Sequence, residues 1–166
     1  MDKAQALTLA DYTGWANRRL ARKAARLPLQ KLRASAPLGH GTIFDSLVHI
    51  LDTQWYWTEG AQTGLLPAAR LTSADFPRMS AFLRRWQEED ARLIEYVRGM
   101  SVRQLNGEVT YTWPRARPRT RPVWHLLMHI VNHGTHHRSE IGRHLSTLGF
   151  SPGDLDFIRF VSRTGR

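Results

Sequence analysis

Six of the eight histidines in this chain fall between His125 and His144, and that clustering is the first feature with a chemical consequence. His125, His129, His133 and His137 are spaced by four, so on a helix they form one stripe with neighbours offset by about 40°. Two imidazoles at positions i and i+4 can reach the same ion from one helix face. His133 and His137 form such a pair. A first-row metal ion needs further ligands, and outside this segment only His40 and His49 remain. His49 shares a polar, uncharged helical face with Ser46, Thr53, Tyr56 and Trp57, which makes it the stronger candidate. Three imidazoles plus an open position describe a catalytic metal site rather than a closed structural one. Gly134 stands where the zincin motif requires glutamate, so peptide hydrolysis is not implied. His40, His125, His136 and His144 read more simply as packing or surface residues.

These ligands need helices to hold them. Residues 3–27 carry Leu7, Leu9, Ala10, Tyr12, Trp15, Ala16, Leu20 and Ala24 at helical spacing, and Pro28 stops the run. A second helix is expected from Thr42, a plausible N-cap, to Glu59, with an apolar ridge of Ile43, Leu47, Ile50, Leu51 and Trp55. Residues 60–78 are rich in glycine and proline and read as an irregular connection. A third helix, capped by Ser80, runs to about Met100 on Phe82, Leu83, Trp86, Leu93, Ile94 and Val97. Residues 101–121 read as non-helical, with Val109–Trp113 as a short strand that could be half of a hairpin. The fourth helix is expected from Pro122, a favourable first-turn proline, to Leu148, where Gly149 ends it. The tail Ser151–Val161 carries Leu155, Phe157, Ile158 and Phe160 and is expected to pack back on the bundle. Four long helical segments predict an all-α four-helix bundle, one domain spanning residues 1–166.

Composition narrows the chemistry. There is no cysteine, which removes disulfides, thiolate ligands and a cysteine nucleophile, and suits a reducing cytoplasm. The N-terminal segment carries Asp2 and Asp11 without a long apolar core, so it does not read as a signal peptide. The formal charge of +10 is uneven. Arg18, Arg19, Arg22, Lys23 and Arg26 cluster early, and Arg115, Arg117, Arg119 and Arg121 alternate through a proline-rich loop, whereas Ala34–Ala69 holds no cation. A cation-free stretch in so basic a chain marks a central element. The charge raises the idea of a nucleic-acid partner, but no helix-turn-helix, zinc-finger or aromatic RNA-binding motif accompanies it.

The run His129-Ile-Val-Asn-His133-Gly-Thr-His-His137-Arg138-Ser-Glu-Ile141 and its sequel Leu148-Gly-Phe-Ser-Pro152-Gly-Asp-Leu-Asp156 resemble the last-helix signature of the DinB/YfiT-like metalloprotein family. Tyr12-Thr-Gly-Trp15-Ala-Asn17 and Leu47-Val-His49-Ile resemble its first two helices. The resemblance implies an up-up-down-down-type bundle, commonly a homodimer, with one divalent metal between the second and fourth helices. It assigns the three ligands to His49, His133 and His137. It also implies a class that includes thiol-dependent S-transferases and isomerases acting on small molecules. Ser139-Glu140 departs from the glycine and glutamine often found there.

A metal with a free position lowers the pKa of a bound thiol, and a chain without cysteine must take that thiol from outside or use water instead. The resulting expectation is a zinc- or nickel-dependent enzyme with a low-molecular-weight thiol cosubstrate. Arg115, Arg117, Arg119, Arg121 and Tyr56 are the candidate substrate contacts, and no catalytic base stands out, Asp45, Asp52 and Tyr56 being named only for their place near His49. The alternatives are a non-catalytic metal- or ligand-binding protein and, less favoured, a basic nucleic-acid-binding module.

Overall fold

The computed structural model describes residues 1–165. Four long helices, α1 (Lys3–Ala24), α3 (Ile43–Thr63), α4 (Met79–Gly99) and α6 (Val123–Thr147), form the bundle. Three short helices join or flank them: α2 (Leu29–Leu32), α5 (Val102–Asn106) and α7 (Phe157–Thr164). Strands β1 (Glu108–Tyr111) and β2 (Arg119–Pro122) form an antiparallel hairpin that pairs Thr110 with Thr120. The bundle expected from the sequence is therefore the architecture found, hairpin included.

Local chemistry sets most boundaries. Asp2 and Gln5 form a capping box that starts α1. Thr42 caps α3 by accepting from the Asp45 amide, as expected, but the helix runs a turn beyond Glu59 before ending at Gly64. Two expectations are corrected. The third long helix begins at Met79 with Arg78 in the cap position, so Ser80 lies inside it. Residues 102–106 are helical, because Ser101 and Gln104 form a second capping box over five residues, too few for a hydrophobic period to reveal.

Contacts along the helices fix their directions. Met1 bonds Asn106, next to the start of α6, while Asn17 meets Arg138, so α1 and α6 run parallel. Phe44 packs on Phe82 and Gln54 bonds Asp90, so α3 and α4 are parallel too. Asn17 also bonds Asp90, and His49 meets His133 while Trp57 meets His129, which sets both pairs against each other. The order is up-down-down-up. It needs one long crossover, residues 64–78 between α3 and α4, instead of the two that an up-up-down-down order requires.

The two largest apolar clusters fill most of the bundle, and a smaller one gathers Tyr56, Leu66, Tyr111 and Leu126. Of the larger two, one gathers Leu20, Phe44, Leu47, Leu51, Phe82, Trp86, Ile141 and Leu145, the other Ala6, Ala10, Ala16, Leu93, Val97, Leu127 and Ile130. Between them lies a buried polar layer with one residue from each long helix. Asn17 Nδ2 and Gln54 Nε2 both donate to Asp90 Oδ1 at 3.0 Å, and Arg138 donates to Asn17 Oδ1 at 2.9 Å. Phe160 of α7 is buried against α1, so the tail packs back as expected. Among the described residues, no helix is long and apolar enough to cross a membrane.

Candidate metal centre

The seam between α3 and α6 carries the imidazoles. α3 has no cation between its ends and buries most of its length, and His49 faces α6. Nε2 of His49 and Nε2 of His133 lie 2.9 Å apart. The ring centres of His133 and His137 are 4.5 Å apart, and those of His49 and His137 are 4.8 Å apart. Imidazoles sharing a tetrahedral ion at ordinary metal–nitrogen lengths have ring centres roughly 5 Å apart. The separations among the three rings are close to that spacing, which makes them candidates for one shared ion.

Protonation also suits ligation, which requires a neutral imidazole. Burial, reinforced by His40 and His137, pushes His49 down to about 4. Burial, with His137 and His49 next in effect, pushes His133 down to about 3. His137 is oriented from behind: its Nδ1 lies 2.8 Å from Glu140 Oε2, and a carboxylate can only accept there. Nδ1 therefore carries a hydrogen, so Nε2 is the nitrogen through which His137 would meet an ion. The other Glu140 oxygen lies 3.5 Å from His136 Nε2. Glu140, noted in the sequence only as a departure from the resembled family, is thus a residue that sequence reasoning missed. An acidic residue three positions after a histidine on one helix is the signal that could have found it.

Gly134 has a structural reason. A Cβ there would come within 2.6 Å of Arg138 Nη1 and 3.3 Å of its Cζ, so glycine makes room for the buried guanidinium. The residue that removes the zincin glutamate is the one that lets the polar layer form.

The structure brings a fourth imidazole that the sequence had set aside. The His40 ring centre is 3.8 Å from that of His49 and 5.2 Å from that of His137. One ring nitrogen from each of His40, His49 and His137 lies within 4.8 Å of the others. The reading of His40 as a bland packing residue is therefore corrected. It sits on a loop, where no periodicity could flag it. His125 stays as expected, edge-on to Trp124 at the surface.

The arginine hairpin lies elsewhere on the same seam. Arg115, Arg117, Arg119 and Arg121 are all exposed. Arg119 stacks over Trp113 at 5.2 Å, and Arg121 donates to the Thr120 carbonyl. A chain of ring contacts runs from this hairpin to the histidines: Trp113, Tyr111, Trp57, His129 and His133, at successive separations of 5.6, 5.4, 5.3 and 5.6 Å. Tyr56 is buried with the Arg70 guanidinium 4.0 Å above its ring. Asp52 is held by Arg70 Nε at 2.6 Å and the Leu71 amide at 2.8 Å, and Asp45 by Thr42, so both carboxylates already have partners. A cavity of about 710 Å3 beside His136 and Glu140 is also lined by Pro37, Leu38, Arg143 and His144 among others.

The DinB family model matches residues 1–165. The chain belongs to the DinB family. Among solved structures it is similar to YfiT from Bacillus subtilis, with a TM-score of 0.72, 15% identity and 91% of each chain covered. YfiT is described as a probable metal-dependent hydrolase with an unusual four-helix bundle topology. At that identity the likeness establishes the fold. A search of curated proteins found no match. For this DinB-family chain, the resemblance read from its histidine motifs and the whole-chain match agree.

Proposed function

We propose that this DinB-family protein is a divalent-metal-dependent enzyme acting on small molecules, with His49, His133 and His137 holding the ion. The observation that carries the reading is the convergence of three imidazoles from two helices, with His49 and His133 in contact at 2.9 Å and His137 pre-oriented by Glu140. The description of YfiT as a probable metal-dependent hydrolase supports it. A bound zinc or nickel ion would supply Lewis acidity and lower the pKa of a thiol or water taking its free position.

The chain's own residues do the rest. His49 and His133 remain neutral near pH 7 because burial disfavours their cationic forms, so no proton has to leave before an ion binds. Glu140 holds the proton on His137 Nδ1 and borders the cavity, which is large enough for a small organic substrate. Arg143 on that cavity offers a counter-charge to an anionic group. The absence of cysteine favours an external low-molecular-weight thiol as cosubstrate, in an S-transfer or isomerisation reaction. Hydrolysis by water is the second reading, favoured by the description of YfiT. The protein is further proposed to act in the cytoplasm as a homodimer.

The test is to load the chain with cobalt or nickel and titrate a panel of low-molecular-weight thiols, following the metal's visible spectrum and product formation with small electrophiles. A thiol-dependent band and a thiol adduct support transfer. Turnover of esters or amides without thiol supports hydrolysis. An inert, metal-loaded protein would leave metal binding without catalysis.

A further inference from the structure

Residues 33–42 connect α2 to α3 as a pinned loop. The Arg33 guanidinium donates to the carbonyls of Ser73 and Phe76 at 3.1 and 2.9 Å, and Leu38 packs on the apolar core. Ser35 bridges to Thr42, the Ala36 amide donates to the Gly41 carbonyl at 2.8 Å, and the Gly41 amide donates to the Leu38 carbonyl at 2.9 Å. Gly41 has φ +78°, a left-handed conformation that lets the chain turn directly after His40. The turn delivers the His40 ring onto His49, with ring centres 3.8 Å apart and planes inclined by 30°.

That near-parallel stack is not yet a ligand geometry, since rings sharing one ion point their nitrogens inward from different directions. One nitrogen from each of His40, His49 and His137 nevertheless lies within 4.8 Å of the others, so a rotation of the His40 side chain would turn a donor toward an ion held by His49 and His137. The other three donors sit on long helices, whereas His40 sits on a loop. Pro37 and Leu38 of the same loop line the cavity of about 710 Å3, together with Glu140 and His136. A molecule entering that cavity touches the segment carrying His40.

We propose that His40 is an exchangeable fourth donor, which closes the free position of the ion in the resting protein and gives way when an exogenous ligand enters from the cavity. The inference rests on the metal reading above and adds to it a reason for the ligand order. An internal donor competes with any external one, so the external affinity is reduced by the fraction of molecules in which His40 is bound.

The experiment uses the full chain loaded with cobalt(II), comparing the native protein with His40→Ala, His40→Gln and His133→Ala. Three quantities are measured: cobalt affinity by chelator competition, the number of coordinated imidazoles by pulsed electron paramagnetic resonance or X-ray absorption, and affinity for 2-mercaptoethanol from the sulfur-to-cobalt charge-transfer band. Both His40 variants should lose one imidazole and bind cobalt about tenfold more weakly, of the order seen when a supporting ligand is removed. Both should bind 2-mercaptoethanol more tightly, by about tenfold if His40 occupies the ion most of the time. Unchanged cobalt and thiol affinities in both variants overturn the proposal. So does a parallel loss of both affinities, which would make His40 a positioning residue. Should native protein bind no cobalt, or His133→Ala bind it undiminished, the metal reading fails first and the proposal with it.

Discussion

His49 and His133, 84 positions apart in the chain, meet across the α3–α6 seam with their Nε2 atoms 2.9 Å apart. The contact exists because α3 and α6 run antiparallel and both turn an uncharged face to the seam. Replacing either histidine with alanine should therefore abolish stoichiometric metal binding, read by elemental analysis. Helicity by circular dichroism should survive, because the two largest apolar clusters form without the ion, unlike the core of a zinc finger. Full metal content in both variants would sink the assignment.

Glu140 provides a graded test. Removing its carboxylate in Glu140→Ala should weaken metal binding by roughly 10- to 100-fold, the usual range for a residue that orients a ligating imidazole. Glu140→Gln keeps an oxygen that can accept from His137 Nδ1 and should recover much of the loss. Equal affinities for all three proteins in chelator competition would show that the 2.8 Å contact does not orient His137 for the ion.

The polar layer predicts a stability pattern independent of any metal. Arg138 is 1% exposed, and its Nη1 bonds Asn17, which in turn bonds the buried Asp90. Arg138→Met should cost about 3 kcal/mol or more in urea unfolding, because it leaves buried polar partners uncompensated. A loss below 1 kcal/mol would mean that the layer is held by packing alone.

Asp90 adds a pH dependence with a definite sign. Burial raises its pKa above the usual carboxylate range, against the hydrogen bonds from Asn17 and Gln54 and the charges of Arg18 and Arg138. The folded state thus favours the neutral acid more than the unfolded chain does. Its contribution to stability is complete below the ordinary carboxylate pKa and is lost as pH rises through the raised folded value. Asp90→Asn lacks that dependence, so the melting temperature of the native protein relative to this variant should fall as pH rises. A relative rise would show that the arginines outweigh burial.

The arginine hairpin is the boldest test of the thiol reading. At 1.5 Å per residue, His133 lies roughly 17 Å along α6 from its start, where the hairpin ends. A cosubstrate spanning the ring track from Trp113 to His133 could place carboxylates on the arginines and its sulfur at the ion. Replacing Arg115, Arg117, Arg119 and Arg121 with glutamine should then weaken thiol binding severalfold while metal content stays the same. Unchanged thiol affinity, measured by calorimetry on the metal-loaded protein, would make the hairpin a solvated loop.

By itself the sequence determined what depends on short-range geometry. His133 and His137 share a face because four residues make just over one helical turn, whatever packs around them. The apolar ridges of the four long helices, the Thr42 cap and the stop after Leu148 are local in the same sense, as is the cation-free stretch that marks α3 as central. Only the tertiary structure decided the rest. Arg138 reads as one more exposed cation until Asn17, 121 positions away, and the gap over Gly134 receive it. His40 sits between two glycines with no period to interpret, and its meeting with His49 depends on how one turn folds over the end of α3. The helix directions likewise follow from which way the connection through residues 64–78 crosses the bundle. Such choices are made by packing between distant segments, where the free energy of burial is shared by the whole core and leaves no mark on local spacing.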